Sequence, residues 1–489
     1  MTVTINDVVV ILPFLVASGG ALLIILLDSF SAPRTPRRFL GGFTIFFLAV
    51  AALSAYIVPL RTESAFHGMV MMDGLARFLS VVVMLSAGFA TLLAMDRLPE
   101  QGSARGEFYA LLLFSAAGAS LLASAADLVM VFLGLETLSI PAYAMAAALR
   151  RDVRSTEAGF KYFVLGAFAT GFFLMGTALV YSSVGSTALG RLAAASASGW
   201  TEKPLLCMGA VMLLVGLAFK AAVVPFHMWA PDVYDGSPTP ATAYFATGIK
   251  AAAFAALLRV VILSLPGMRA EEINGNEIGW HYIFWGLAAA TMAVSSLTAL
   301  VQKDVKRILA YSSVAHVGYL LIGLLAGKPG GAAVLFYLLV YTFMTVGAFA
   351  VVAYLENSKG GTKLSDYAGI AKRHPYAAAA MAVFLFSLAG IPPTGGFFAK
   401  FYLFKAAVQG GLINLTVLGV LFSVVSAYYY LRIVVAMYME QGENQAVIDI
   451  SPSAAVVTAI CLCLLFTIII GLYPTPYLSV AQASASMLP

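Results

Sequence analysis

Long apolar runs alternate with short polar segments along nearly the whole chain. In windows of about 20 residues, the length that crosses roughly 30 Å of hydrocarbon, the pattern predicts fourteen spans. They cover residues 8–27, 39–60, 75–95, 108–125, 127–149, 161–184, 205–225, 240–263, 281–301, 305–326, 331–355, 375–408, 412–438 and 453–473. Because a helix satisfies its own backbone hydrogen bonds in lipid, this pattern predicts an all-α polytopic membrane protein.

Two of the predicted spans are interrupted. Pro225 lies within the seventh span, five residues after Lys220, and the sequence AGIPPTGGFF lies in the middle of the twelfth. Proline lacks the N–H donor and its ring clashes with the preceding turn, so a helix breaks or kinks there. Broken helices at membrane depth are tolerated where they line a cavity or an ion path.

The interrupted spans are five apart, which predicts two inverted repeats of five helices. The first repeat comprises spans four to eight (108–263), and the second comprises spans nine to thirteen (281–438). Residues 1–107 supply three helices before the repeats, and residues 439–489 supply the last span. An odd number of helices turns the second copy upside down in the membrane, and paired broken helices then point to a site at the midplane.

The composition agrees with a membrane protein and not with a soluble domain. Of the 489 residues, 61% are hydrophobic and only 10% are charged. The net charge of +5 comes from basic residues scattered over short loops, which argues against a nucleic-acid surface. Since Lys and Arg favour cytoplasmic loops, their distribution predicts a multi-pass protein of the cell inner membrane with both termini on the non-cytoplasmic side.

Four ionisable residues lie deep within predicted spans: Glu136, Lys220, Lys250 and Lys400. An ionised side chain at the centre of a membrane helix costs roughly 3 kcal/mol, so each is a candidate functional residue. One alternative is a structural ion pair between Glu136 and one lysine. A single carboxylate cannot neutralise three lysines, so we favour a proton path.

Burial supplies a mechanism for such a path. Loss of water disfavours the charged form of a lysine, so a buried lysine can give up a proton near neutral pH. A nearby carboxylate opposes this effect. We therefore expect that movement of Glu136 towards or away from Lys220 would load or release a proton, without a metal, nucleotide or nucleophile.

Four further residues are weaker candidates for the path. His227 and His316 could relay protons, or they could be hydrogen-bonded core histidines. Lys306 could admit protons from the cytoplasm, although an ordinary basic flank of the tenth span is slightly favoured. Lys161 follows Glu157 by four residues, which favours a surface helix pair over a place on the path.

The remaining polar residues argue against other chemistries. Asp232 and Asp235, in APDVYDGSPTP, are expected to cap or turn the loop before the eighth span. Sodium sites prefer several carboxylates and carbonyls, and Glu136 is the one buried carboxylate that stands out, so the proton is the expected ion. The three cysteines are too few for an iron–sulfur cluster, and the chain has no glycine-rich nucleotide loop after a strand.

Three stretches resemble a known family. They are FKAAVVPFHMWAPDVYDGSPTPATAYFATGIKAAAFAALLR, VKRILAYSSVAHVGYLLIG and LAGIPPTGGFFAKFYLF. They look like the antiporter-like subunits of respiratory NADH–quinone oxidoreductase (complex I), whose relatives form multisubunit cation/proton antiporters. In this resemblance the family's helix-five glutamate falls on Glu136, its helix-seven lysine on Lys220, its helix-eight lysine on Lys250, and its helix-twelve output residue on Lys400.

The resemblance implies a fourteen-helix inverted repeat that translocates protons while other subunits carry out NADH:quinone electron transfer. FMN, iron–sulfur clusters and quinone would bind those partner subunits, with no cofactor in this chain. The neighbours would be another antiporter-like subunit and small membrane subunits. Lysine at position 400 and the phrase HMWAPDVYDGSP favour the family member closest to the quinone-reducing arm. The alternatives are a subunit of a cation/proton antiporter and a membrane scaffold that conducts no ions.

Overall fold

The computed structural model describes residues 4–31, 37–57, 64–100, 106–197, 203–273, 276–356, 361–441 and 453–486. Residues 58–60 of the second predicted span and residues 442–452 of the predicted C-terminal region lie outside this part of the chain.

The described chain is mainly α-helical. Its α-helices are α1 (Ile5–Val10), α2 (Leu12–Phe30), α3 (Arg38–Ile57), α4 (Gly74–Glu100), α5 (Gly106–Ser124), α6 (Leu128–Ala146), α7 (Val153–Val184), α8 (Leu189–Ser196), α9 (Pro204–Ala221), α10 (Trp229–Gly236), α11 (Thr239–Tyr244), α12 (Lys250–Leu257), α13 (Trp280–Val301), α14 (Val305–Leu325), α15 (Lys328–Glu356), α16 (Ile370–Arg373), α17 (Pro375–Ala389), α18 (Gly395–Gln409), α19 (Ile413–Met439), α20 (Ala454–Leu472) and α21 (Thr475–Ala485). Short 3-10 helices occupy Pro266–Met268 and Leu364–Tyr367.

Thirteen helices in the described ranges are long and apolar enough to cross a membrane, so the predicted all-α multi-pass fold is confirmed. The eighth, Thr239–Leu263, is continuous but irregular. It joins α11 and α12 through a π-helical segment, Phe245–Ile249, and ends in a second one, Leu258–Leu263. The predicted twelfth span corresponds to two shorter helices, α17 and α18.

The membrane helices form an inner and an outer group. In Thr239–Leu263, α14 and α15, 94% of the most apolar window is buried inside the protein. In α2 only 28% of that window is buried. The inner helices therefore contact other helices on all sides, and the outer helices present apolar side chains such as Leu22 and Phe168 to the surroundings.

The chain leaves the helical conformation in both predicted interruptions. Helix α9 ends at Ala221, and Ala222 has a φ of 63°, in the left-handed region that favours glycine. Helix α17 ends at Ala389, and Gly390 has a φ of 88°. Each interruption contains one cis X–Pro bond, Val224–Pro225 in the first and Pro392–Pro393 in the second.

Two short antiparallel hairpins lie between membrane helices and were not predicted. One pairs β1 (Ser64–Ala65) with β2 (Val70–Met71), and the other pairs β3 (Glu271–Ile273) with β4 (Asn276–Ile278). Both connect the ends of consecutive spans, which an analysis of long apolar runs does not resolve.

A buried ion pair that the sequence analysis missed joins the end of the eighth span to α4. Arg259 is fully buried, and its Nη2 lies 2.7 Å from Asp73 Oδ1. Arg259 Nε donates to the Ala123 carbonyl at 2.6 Å. Asp73 Oδ1 also accepts from the Ala76 amide at 2.8 Å, so the same carboxylate caps the first turn of α4.

The two halves of the broken twelfth span are in close contact at Gly396. Its amide donates to Ser387 Oγ at 3.0 Å, and a Cβ at this position would overlap the Ser387 carbonyl oxygen. We expect Gly396→Ala to lower the free energy of unfolding by about 2 kcal/mol or more, because the backbone must shift. Thermal unfolding of the purified protein in detergent measures the effect.

Gly171 in α7 provides the matched control, since a Cβ there meets no atom within 4 Å. Gly171→Ala should leave the unfolding temperature unchanged or slightly raised. If both variants unfold at the wild-type temperature, the contact between α17 and α18 is looser than described.

Candidate functional site

Three buried lysines lie in the interior of the helical bundle. Lys220 lies in the last turn of α9, Lys250 begins α12, and Lys400 lies in α18. Their residues are at most 5% exposed. The structure thus places three of the four main predicted residues in the protein core, and their partners determine what they can do.

Lys220 binds hydroxyl groups. Its Nζ donates to Ser139 Oγ at 2.7 Å and to the Tyr162 hydroxyl at 3.3 Å. The Tyr162 ring stacks on Trp229 with a centroid distance of 4.4 Å, and Trp229 Nε1 donates to the Phe219 carbonyl at 3.0 Å. Trp229 is the first residue of α10, so the segment after the break is packed against the residues that hold Lys220.

Glu136 lies at the outer side of this group, half-buried in α6. Its Oε1 accepts a hydrogen bond from Thr170 Oγ1 at 2.7 Å. Glu136 and Lys220 form no ion pair within 4 Å, so the alternative of a structural pair between them is wrong. A small cavity is lined by Lys220, Ser139 and Thr170, the residue that donates to Glu136.

Lys250 follows the first π-helical segment of the eighth span. Its Nζ donates to the Ser313 carbonyl at 2.7 Å and also to Ser313 Oγ. The Tyr341 hydroxyl donates to the same Ser313 Oγ at 2.9 Å. π-helical turns within α-helices occur frequently at functional sites, because they re-aim the side chains that follow.

A chain of aromatic side chains connects Lys220 to Lys250. Trp229, which stacks on the tyrosine that binds Lys220, has its ring 6.1 Å from that of Tyr234. The Tyr234 side chain lies near Ser313, the residue that holds Lys250. Packed aromatic rings therefore extend from the site of Lys220 to the site of Lys250.

Lys220, Lys250 and Lys400 form a row through the bundle, and His316 lies in its second half, between Lys250 and Lys400. Its Nδ1 lies 2.5 Å from the Tyr337 hydroxyl and its Nε2 lies 3.2 Å from the Tyr430 hydroxyl. Its ring centroid lies 5.0 Å from that of Tyr341 and 5.6 Å from that of Tyr319. His316 thus lies between the tyrosine beside Lys250 and the tyrosine beside Lys400.

Lys400 ends the row. Its Nζ donates to the Ala389 carbonyl at 3.0 Å and to Ser423 Oγ at 2.8 Å. Ala389 is the last residue of α17, so Lys400 binds the helix end that the break leaves without a backbone partner. An open groove between α18 and α19 reaches Lys400 from the outside of the bundle.

The three lysines have the same kind of environment. Each donates to a serine hydroxyl, from Ser139, Ser313 or Ser423. Each Nζ also lies 5.0–5.8 Å from the centroid of at least one tyrosine ring, an arrangement that stabilises a cation. Such neutral partners support a lysine that changes its charge.

The structure places the weaker candidates in different surroundings. His227 lies half-buried in the break after α9 and makes no hydrogen bond to any of the three lysines. Lys306 is 4% exposed, and its Nζ donates to the Ser237 carbonyl at 2.9 Å, so its interpretation as an ordinary basic flank is wrong. The Lys161–Glu157 surface pair is confirmed, with 2.6 Å between Nζ and Oε1.

The role predicted for Asp232 is wrong. It lies in the first turn of α10 and binds two cations, Lys161 Nζ at 2.9 Å and Arg307 Nη1 at 3.0 Å. Asp235 lies 3.5 Å from the same Arg307 nitrogen. The two aspartates therefore join α10 to α7 and α14. Sequence spacing could not reveal this, because the partners are distant in the chain.

Glu356 is a functional candidate that the sequence analysis missed. It ends α15, where a charge resembles the start of a loop. In the structure its side chain is only 10% exposed, and its Oε1 lies 3.7 Å from Lys306 Nζ. With Asp73 it makes the expectation of one prominent buried carboxylate wrong. Across the described ranges, no three His, Cys, Asp or Glu residues are grouped to hold a metal ion.

The fold and the site define a multi-pass membrane protein with an interior row of ionisable side chains. Residues 125–426 match the family described as "NADH:quinone oxidoreductase/Mrp antiporter, TM". The chain belongs to this family, and the resemblance drawn from the sequence is confirmed.

Named relatives and solved structures match this chain over nearly its full length. The chain is 41% identical over 485 residues to a protein of Trichlorobacter lovleyi named NADH-quinone oxidoreductase subunit N, covering 98% of this chain and 97% of that one. It is 34% identical to a chain of respiratory complex I from Thermus thermophilus, with a TM-score of 0.80, covering 96% of this chain and 99% of that one. A chain of the Mrp complex from Dietzia has the same fold, with a TM-score of 0.84 and 21% identity, covering 99% of this chain and 98% of that one.

Proposed function

We propose that this chain is subunit N of an NADH-quinone oxidoreductase and that it translocates protons along the row of Lys220, Lys250 and Lys400, with Glu136 beyond Lys220. The observation that carries the proposal is the continuity of the row: hydroxyls and aromatic rings join the lysines without an ion pair that would fix their charge. Hydroxyl groups both donate and accept hydrogen bonds, which suits them to relay protons.

His316 has the place of a relay between Lys250 and Lys400. It contacts two tyrosine hydroxyls, and an imidazole can accept a proton at one nitrogen while it releases one from the other. Lys306 and Lys161 lie at one end of the bundle, since Asp232 binds both Lys161 and Arg307, the neighbour of Lys306. Lys306 belongs to the route by which protons reach the row, and so does His227 in the break after α9, whereas Lys161 is held in surface ion pairs.

Electron transfer belongs to partner subunits in this proposal. NADH, FMN, iron–sulfur clusters and quinone act there, and the membrane neighbours are another antiporter-like subunit and small membrane subunits. Energy then reaches this chain through contacts with its neighbours, and Glu136 and Lys400 are the residues at the two ends of the row.

The proposed topology places both termini on the non-cytoplasmic side of the inner membrane. Contacts of Asp232 with Lys161 and Arg307 bring the beginnings of α7 and α14 to one end of the bundle. The basic loops before these two helices were assigned to the cytoplasm from their charge. The proposed inverted repeats, 108–263 and 281–438, are supported by the breaks in spans seven and twelve.

A subunit of a cation/proton antiporter is the second candidate. It shares the fold, and the buried lysines do not discriminate between the two functions. The higher identity to complex I, and the names of relatives matched over the whole chain, favour the oxidoreductase. A scaffold that conducts no ions is disfavoured by the cost of burying three lysines without an ion pair.

Gentle purification of the chain from its native membrane tests the proposal. We expect a complex that oxidises NADH with a quinone acceptor and shows flavin and iron–sulfur signals. Purification with other membrane subunits alone, without redox centres, would instead establish an antiporter, in which the same lysines exchange ions along a gradient.

A further inference from the structure

A second group of buried polar side chains lies at the end of the bundle that the proposed topology places on the cytoplasmic side. Glu356 of α15 is at its centre. Its Oε2 accepts from Thr239 Oγ1 at 2.7 Å, and its Oε1 lies 3.7 Å from Lys306 Nζ. Lys306 in turn donates to the Ser237 carbonyl. The group thus joins the last residue of α15 to the beginnings of α11 and α14.

Two hydroxyls in this group have no hydrogen-bond partner among the described residues. Ser237 Oγ and the Tyr367 hydroxyl are both buried: residue Ser237 is 2% exposed and residue Tyr367 is 1% exposed. Ser237 binds Lys306 through its carbonyl, and Tyr367 lies within electrostatic range of Glu356. Buried hydroxyls of this kind are ordinarily satisfied by ordered water, so the group has the character of a hydrated site.

The loop before α16 covers the site from outside. The Val305 amide donates to the Thr362 carbonyl at 2.7 Å, and the Leu364 amide donates to the Lys303 carbonyl at 2.8 Å. These contacts hold the loop against the beginning of α14. Lys306 and Glu356 have side chains that are 6% and 10% exposed, so they lie close to the surface at this end of the bundle.

We propose that Glu356 is the carboxylate that takes up protons from the cytoplasm and delivers them towards Lys250. The proposal rests on the proton path proposed above. In the uptake step a proton from cytoplasmic water binds the Glu356 carboxylate. In the delivery step this proton passes through water to the neutral amine of Lys250, which becomes an ammonium ion and leaves the carboxylate ionised.

The helices set the distance of the delivery step. Lys306, beside Glu356, and Ser313, which holds Lys250, are seven residues apart in α14, or about 10 Å along the axis. They are two turns apart and lie on the same face of the helix. The lysine side chain spans part of this interval, and in the proposed step water carries the proton over the rest.

Several titratable groups surround Glu356. Lys306 faces it from α14, and Asp304 precedes that helix. Burial raises the pKa of Asp304, against a hydrogen bond from Thr362 and the charge of Lys306. Burial, followed by the negative charges of Glu356, Asp304 and Asp366, raises the pKa of Tyr367 well above its ordinary value. Tyr367 therefore stays neutral and can donate its proton in a hydrogen bond only.

The test uses inside-out membrane vesicles that contain the assembled complex, because their outer face is the cytoplasmic one. With an uncoupler present, NADH oxidation reports turnover without a proton gradient. We expect Glu356→Gln to lower turnover by about ten-fold, since one acid–base group is lost, and Glu356→Asp to retain most of it. Formate, a small carboxylic acid, should restore part of the turnover of the glutamine variant.

Glu107→Gln is the matched control, because Glu107 is an exposed carboxylate that pairs with Arg150 at 2.8 Å. It should behave as wild type. Lys250→Ala, measured in parallel, separates the two proposals. If Lys250→Ala is slow and Glu356→Gln is as fast as wild type, the uptake site is wrong and the proton path stands. If both are fast, both proposals fail.

A loss of assembly would not leave the question open. In that case Glu356→Asp, which keeps the carboxylate, is compared with Thr239→Val, which removes a hydrogen-bond donor from the site. Normal turnover of Glu356→Asp with formate-independent kinetics supports uptake through the carboxylate. An equal defect in both variants, unchanged by formate, would assign Glu356 a structural role and overturn the inference.

Discussion

Replacing Lys400 by arginine is expected to reduce proton translocation by about ten-fold or more, although the positive charge is kept. A guanidinium group does not release its proton in proteins, whereas a lysine can. The groove that reaches Lys400 between α18 and α19 provides space for the larger side chain. Dye-monitored proton uptake into inside-out vesicles, divided by the rate of NADH oxidation, measures the loss.

The alanine variant and a control on the same helix complete this experiment. Lys400→Ala should be as defective as Lys400→Arg. Lys405→Ala should pump normally, because Lys405 is exposed in α18, five residues further on. If Lys400→Arg pumps normally and Lys400→Ala does not, the site requires a fixed charge, and Lys400 is not a proton carrier.

Separating the buried Asp73–Arg259 pair is expected to have the largest effect on stability. Asp73→Leu or Arg259→Met alone leaves one buried charge without its partner, which costs about 3–5 kcal/mol. The double variant replaces both charges with apolar groups, so it should recover a large part of this loss. Thermal unfolding of the purified complex in detergent shows both effects.

An exposed ion pair provides the comparison for this prediction. Arg150 and Glu107 have side chains that are 65% and 57% exposed. Arg150→Met should therefore change stability by about 1 kcal/mol or less. Equal destabilisation by Arg259→Met and the double variant, with little effect of Asp73→Leu, would mean that Arg259 acts through its bond to the Ala123 carbonyl, and not through its charge.

The spans and the lysines were predictable from the sequence because lipid imposes a strong constraint. A run of about twenty apolar residues is expected to form a membrane-spanning helix, and a lysine inside such a run is conspicuous. The interruption at Pro225 was visible for the same reason. Lys220, Lys250 and Lys400 are all buried as expected.

The partners of these residues were not predictable. Ser139 and Ser313 are ordinary residues in an apolar helix until the fold brings a lysine to them from 81 and 63 residues away. Glu356 and Asp73 lie at helix ends, where a charge is typical of a loop. The hydroxyl partners of Lys220 were not predictable either, because the depth of a residue in a span does not specify the face of the helix on which it lies.

The serine beside each buried lysine affects how fast the surrounding hydrogen bonds can rearrange when the lysine changes its charge. A carboxylate partner would be left charged and unsatisfied whenever its lysine became neutral. A hydroxyl can accept from an ammonium ion and donate to an amine, so it adapts by turning one O–H bond. Such rotations take picoseconds to nanoseconds. The local rearrangement at Lys220, Lys250 and Lys400 is therefore fast, so in the proposed proton path the turning of these hydroxyls does not limit the rate.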